Sequence, residues 1–63
     1  MRVIVLHCKK FRVADVITAL NLLEIDIDES ADDIKIIKEI NKMSSEDDLR
    51  FWTLLSNNEL KNE

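Results

Sequence analysis

The order of apolar and polar positions predicts one strand followed by a helix in the first part of the chain. Residues 3–6 form an uninterrupted apolar run, rich in β-branched side chains, inside a segment 2–8 that we interpret as a buried strand. From residue 12 to residue 23 the apolar positions recur every three or four residues, which is typical of one face of a helix. Asp15 lies in the first turn, where the helix dipole favours a negative charge.

The later segments predict two more helices. Residues 24–28 alternate strictly between acids and isoleucines, which favours a short edge strand. Ser30 is positioned to cap a helix over residues 31–42, and the serines at 44 and 45 would end that helix and begin a third near Glu46. We therefore expect an α+β fold with an N-terminal strand and three helices. The alternative is a small, mostly helical bundle with a short two-stranded sheet.

The leading strand needs a partner, because a lone strand leaves its backbone donors and acceptors unpaired. Residues 24–28 could pair with it inside one molecule. The same strand of a second copy could instead pair with it across a two-fold axis, which would also enlarge the core of a small domain. We expect this second arrangement, a homodimer formed through the strand, the third helix or both.

Size and composition indicate one domain, residues 1–63, without cross-links. Apolar residues make up 46% of the chain and charged residues 35%, a balance typical of a folded domain with a solvated surface. Cys8 is the single cysteine, and with no signal peptide or membrane-spanning run we expect a cytoplasmic protein. The abundance of Ile, Lys and Asn fits an AT-rich genome, such as that of a virus or mobile element.

No set of residues predicts an enzyme, a cofactor, a metal ion or a small-molecule substrate. The oxygen ligands at alternating positions from Asp26 to Asp32 resemble the opening of a calcium loop, but Ala31 and Ile37 stand where that loop needs Gly and Glu. His7 and Cys8 are adjacent and would point to opposite faces of a strand, so they cannot readily share a metal. The chain has no Tyr, no glycine-rich loop and only one His.

We expect the function to be non-catalytic protein binding, as a small acidic regulator or inhibitor of a larger protein. Residues 24–48 carry ten acids against three lysines, and this acidic segment could dock onto a basic, nucleic-acid-binding target. The third helix carries apolar residues around more than half of its circumference, although its Trp could simply fill the core. The predicted interface residues are Val3, Val5, Arg50, Phe51, Trp52 and Leu55.

Two other function classes stay open. A strand followed by helices and paired as a dimer is the outline of a ribbon-helix-helix repressor, which would contact DNA through the basic N-terminal segment. Its nucleic-acid contacts would be Arg2, Lys9, Lys10 and Arg12. Against this, the strand interior offers no hydrogen-bonding side chain to base edges. The third class is a structural subunit of an assembly.

Overall fold

The computed structural model describes residues 2–60 as a two-stranded antiparallel sheet followed by three helices, which confirms the predicted α+β class. The elements in chain order are β1 (Val3–Leu6), β2 (Lys9–Arg12), α1 (Val13–Leu22), α2 (Asp33–Lys42) and α3 (Ser45–Leu55). All three helices predicted from the apolar periodicity are present. Within residues 2–60 no helix combines the length and the apolar character needed to cross a membrane.

Within the molecule β1 pairs with β2 in a hairpin, and not with residues 24–28 as one alternative from the sequence had it. Pairing of β1 with a second copy stays a prediction. Leu6 lies opposite Lys9, so the turn consists of two residues only, His7 and Cys8. Their φ angles are 50° and 65°, the left-handed values of a type I′ turn, whose backbone twist matches that of the flanking strands. The hairpin was not predicted because this turn is normally made by Asn and Gly.

Residues 24–28 do not form the predicted edge strand. The N–H of Ile25 donates to the carbonyl of Leu20, and the N–H of Glu24 donates to that of Asn21, both at 3.0 Å. This pair of bonds is the Schellman motif, and it places Glu24 at a φ of 65°. The backbone groups of Glu24 and Ile25 are thus used to end α1. The alternation of acids and isoleucines in this segment instead reflects burial, because Ile27 is buried and the flanking Asp26 and Asp28 are exposed.

Side-chain oxygens cap α2 and α3. Asp32 accepts a hydrogen bond from the N–H of Lys35 at 2.8 Å, so Asp32 and not the predicted Ser30 caps α2. Ser44 accepts from the N–H of Asp47 at 3.2 Å and caps α3, as the sequence indicated. Each bond satisfies one of the backbone donors left free in a first helical turn.

A single core lies between the hairpin and the three helices. Every element contributes to it, and no polar or charged side chain is buried among residues 2–60. The largest fully buried side chains are those of Phe11, Val16, Leu20, Ile36, Phe51 and Leu55. One face of the sheet therefore packs on the core, whereas the other face is open to solvent.

Candidate functional site

The outer edge of β1 carries unpaired backbone groups. The N–H of Val13 donates to the carbonyl of Arg2 at 3.0 Å, so Arg2 and Val13 form a hydrogen-bonded pair. Along an antiparallel ladder, hydrogen-bonded pairs alternate with pairs whose backbone groups point away from the partner strand. The backbone groups of Ile4 and Leu6 consequently face β2, whereas those of Val3 and Val5 face away from it. Residues 2–60 provide no backbone hydrogen-bonding partner on that outer side.

The side chains along this edge are apolar and exposed. Val3 is 39% exposed and Val5 is 57% exposed, and both project from the solvent face of the sheet. The strand contains no charge, no proline and no bulge from Val3 to Leu6. Soluble proteins ordinarily use those features to prevent an edge strand from pairing with another chain. The β1 edge lacks all three.

The outer edge of β2 is protected in two ways. The N–H of Leu60 donates to the carbonyl of Lys10 at 2.8 Å, so the C-terminal segment already pairs with this edge. Three of the four residues of β2 are cations, which discourage strand addition. The two edges of the same small sheet therefore differ, and β1 has the edge that is both uncharged and unpaired within residues 2–60.

The predicted nucleic-acid contacts are distributed over different parts of the surface. Arg2 donates to the carbonyl of Glu29 at 2.9 Å and to Asp33 Oδ1 at 3.0 Å, so a carboxylate already pairs with its charge. Lys10 and Arg12 lie opposite Val5 and Val3 on the solvent face of the sheet. Lys9 instead lines a cleft beside α3. The chain forms a two-stranded hairpin in place of the single strand on which the ribbon-helix-helix outline was based.

The third helix buries one part of its apolar surface inside the molecule. Phe51 and Leu55 are fully buried in the core, so neither presents a side chain on the surface of the described residues. The half-buried Trp52 packs on the hairpin, with ring centroids 4.9 Å from His7 and 5.9 Å from Phe11. Arg50 is exposed, but its guanidinium pairs with Glu46 at 2.7 Å. Of the predicted interface residues, Val3 and Val5 are the two that are both apolar and exposed in the described part of the chain.

A cleft of about 390 Å³ separates the hairpin turn from α3. Its lining residues include His7, Lys9, Asp48, Trp52 and Glu59. The Nε1–H of Trp52 donates to Asp48 Oδ1 at 3.0 Å, so these two groups satisfy each other. In residues 2–60 no three His, Cys, Asp or Glu side chains are grouped to hold a metal ion.

A second apolar surface, which the sequence analysis did not single out, lies between the end of α1 and α3. This leucine groove is lined by Leu22, Leu23, Leu49 and Leu54, together with Arg50 and Thr53, and has a volume of about 520 Å³. Leu49 is 70% exposed and Leu22 is 65% exposed. The sequence did contain one sign of this exposed surface. Leu22 is apolar but lies outside the regularly spaced apolar positions that form the buried face of α1.

Comparisons with protein-family models, with curated proteins and with solved structures find no match for this chain.

Proposed function

We propose that this chain is a non-catalytic protein-binding module, a small acidic regulator that joins another polypeptide by strand addition at the outer edge of β1. The observation that carries the proposal is the contrast between the two sheet edges. The β2 edge is charged and bonded to Leu60, whereas the β1 edge exposes Val3 and Val5 beside unpaired backbone groups. In strand addition the main chain supplies the hydrogen bonds and alternate side chains supply specificity.

The charge distribution supports a role in recognition. The chain carries a net charge of −4, and its acids are concentrated in residues 24–48, outside the hairpin. Such a charged surface makes the rate of encounter with other charged surfaces depend on ionic strength. The strand that makes the contact carries no charge, so the β1 edge can form the bonded interface without burying one.

Selection of peptides on the immobilised protein tests this proposal. A library of random seven-residue peptides is selected for binding, and the enriched sequences are then synthesised and measured by fluorescence anisotropy. We expect extended peptides with alternating apolar residues. We expect their binding to be lost in Val3→Lys and kept in Ile37→Lys, a matched control because Val3 and Ile37 are both 39% exposed. Circular dichroism establishes that both variants are folded.

Two results would contradict the proposal. The first is a library without any enriched peptide that distinguishes Val3→Lys from the wild-type chain. The second is enriched peptides whose binding is lost in Leu49→Lys and unchanged in Val3→Lys. That second result would assign docking to the leucine groove instead of the sheet edge.

A further inference from the structure

We infer that the polypeptide joined to the β1 edge is a second copy of this chain, so that two hairpins form one four-stranded antiparallel sheet in the order β2–β1–β1–β2. This inference rests on the proposed function and names the partner. It also differs from the ribbon expected from sequence, because each copy contributes a two-stranded hairpin and only the outer edge of β1 contacts its partner.

The outward-facing backbone groups of β1 are complementary to themselves. They belong to Val3 and Val5, which are two residues apart and symmetric about Ile4. A two-fold axis at Ile4 places Val3 of one copy opposite Val5 of the other, twice. Antiparallel residues in such a pair exchange both N–H···O bonds, so the junction would contain four new hydrogen bonds. A symmetric dimer requires this kind of self-complementary surface.

Side chains are compatible with this register. Val3 and Val5 of both copies would meet on the solvent face, where directly opposed β-branched residues stabilise a sheet. Ile4 points to the core face in each copy and stays buried in its own molecule. Arg2 would lie opposite Leu6, and its charge is already paired with Asp33 of its own chain. No two like charges would be directly opposed at the junction.

The remaining cations of the hairpin lie far from the junction. Lys10 and Arg12 belong to β2, which would be the outermost strand on each side. Three strand spacings, about 14 Å, would separate the two β2 strands. This distance exceeds the Debye length of about 8 Å at physiological ionic strength and is shorter than the length of about 30 Å at 0.01 M salt. Repulsion between these cations, and between two chains that each carry a net charge of −4, should therefore oppose the dimer at low salt and be screened at physiological salt.

Sedimentation equilibrium of the full chain, with a reductant to keep Cys8 as a thiol, measures this association. We expect a monomer–dimer equilibrium whose dissociation constant decreases between 0.01 M and 0.15 M salt. Val3→Lys should raise the dissociation constant at least about tenfold, since like charges would then flank the junction, and Ile37→Lys should leave it within about twofold. A dimer that weakens as salt rises, or one weakened only by Ile37→Lys or Leu49→Lys, would overturn the inference.

Two further measurements test the backbone bonds and the register. A synthetic chain with an N-methyl group on the Val5 nitrogen loses one outward donor and keeps every side chain, so it should remain monomeric. An isotope-filtered nuclear Overhauser experiment on mixed labelled and unlabelled protein should connect the methyl groups of Val3 in one copy with those of Val5 in the other. A dimer without this contact, or a dimer unaffected by the N-methyl group, would refute the proposed junction.

The outcomes separate the two proposals. A chain that stays monomeric up to millimolar concentration, while selected peptides still bind β1, would refute the self-pairing and leave the strand-addition function intact. A chain in which neither peptides nor a second copy slow amide hydrogen exchange at Val3 and Val5 would refute both.

Discussion

Replacing Cys8 by glycine should stabilise the monomer, because Cys8 occupies the second position of the hairpin turn with a left-handed φ of 65°. The left-handed conformation costs a residue with a Cβ atom about 1–2 kcal/mol. Glycine avoids that cost but adds about 0.5–1 kcal/mol of conformational entropy to the unfolded chain. The difference predicts that Cys8→Gly raises the free energy of unfolding by about 0.5–1 kcal/mol. The side chain of Cys8 is exposed, so little packing is lost.

Urea unfolding followed by Trp52 fluorescence measures this change, and thermal unfolding should show a shift of about 4–8 °C per kcal/mol. The protein concentration is held fixed, because any dimer would also stabilise the fold. Cys8→Ala is the matched control, since it removes the thiol and keeps the Cβ atom. Glu24→Gly and Glu24→Ala repeat the comparison at the end of α1, where φ is also 65°. Equal stabilities of the glycine and alanine variants at both positions would refute the strain argument.

Three other outcomes follow from the caps, the core and the charges. Ser44→Ala should lower stability by about 1 kcal/mol, because it removes the acceptor for the N–H of Asp47, and Ser45→Ala should change it little; urea unfolding distinguishes them. Phe51→Ala should lower the free energy of unfolding by about 3–5 kcal/mol, out of a total of about 3–9 kcal/mol for a chain of this length. Leu49→Ala, at an exposed position, should lower it by less than about 0.5 kcal/mol; denaturation followed by circular dichroism measures both changes. An anisotropy titration with duplex DNA at low salt should show no saturable binding, because the chain carries a net charge of −4 and Asp33 already pairs with Arg2; binding that falls steeply as salt rises would contradict this.

The helices could be predicted from the sequence because each has a regular apolar spacing and a polar start. The second strand could not, because Lys9-Lys10-Phe11-Arg12 contains one apolar residue and follows a turn without Asn or Gly. Its place in the sheet depends on Phe11, which is almost fully buried and contacts Trp52 from a distant part of the chain. A contact of that kind leaves no periodic signal in a four-residue segment.

The candidate site was predicted only in part for a similar reason. Val3 and Val5 were identified because an apolar strand needs a partner, and the structure leaves both exposed at an open edge. Phe51 and Leu55 have the same residue types as an interface, but both are part of the buried core. Residue type alone does not distinguish an apolar side chain covered by its own chain from one left on the surface. That distinction requires the tertiary packing.

The pairing of Leu60 with Lys10 has a practical consequence for how the protein can be handled. Leu60 lies on the far side of the hairpin, two strand spacings or about 10 Å from β1. A fluorescent label attached near Leu60 would thus stand clear of β1, whereas one attached near Arg2 would lie at the beginning of that strand. Labelling and surface capture are accordingly best directed to the neighbourhood of Leu60.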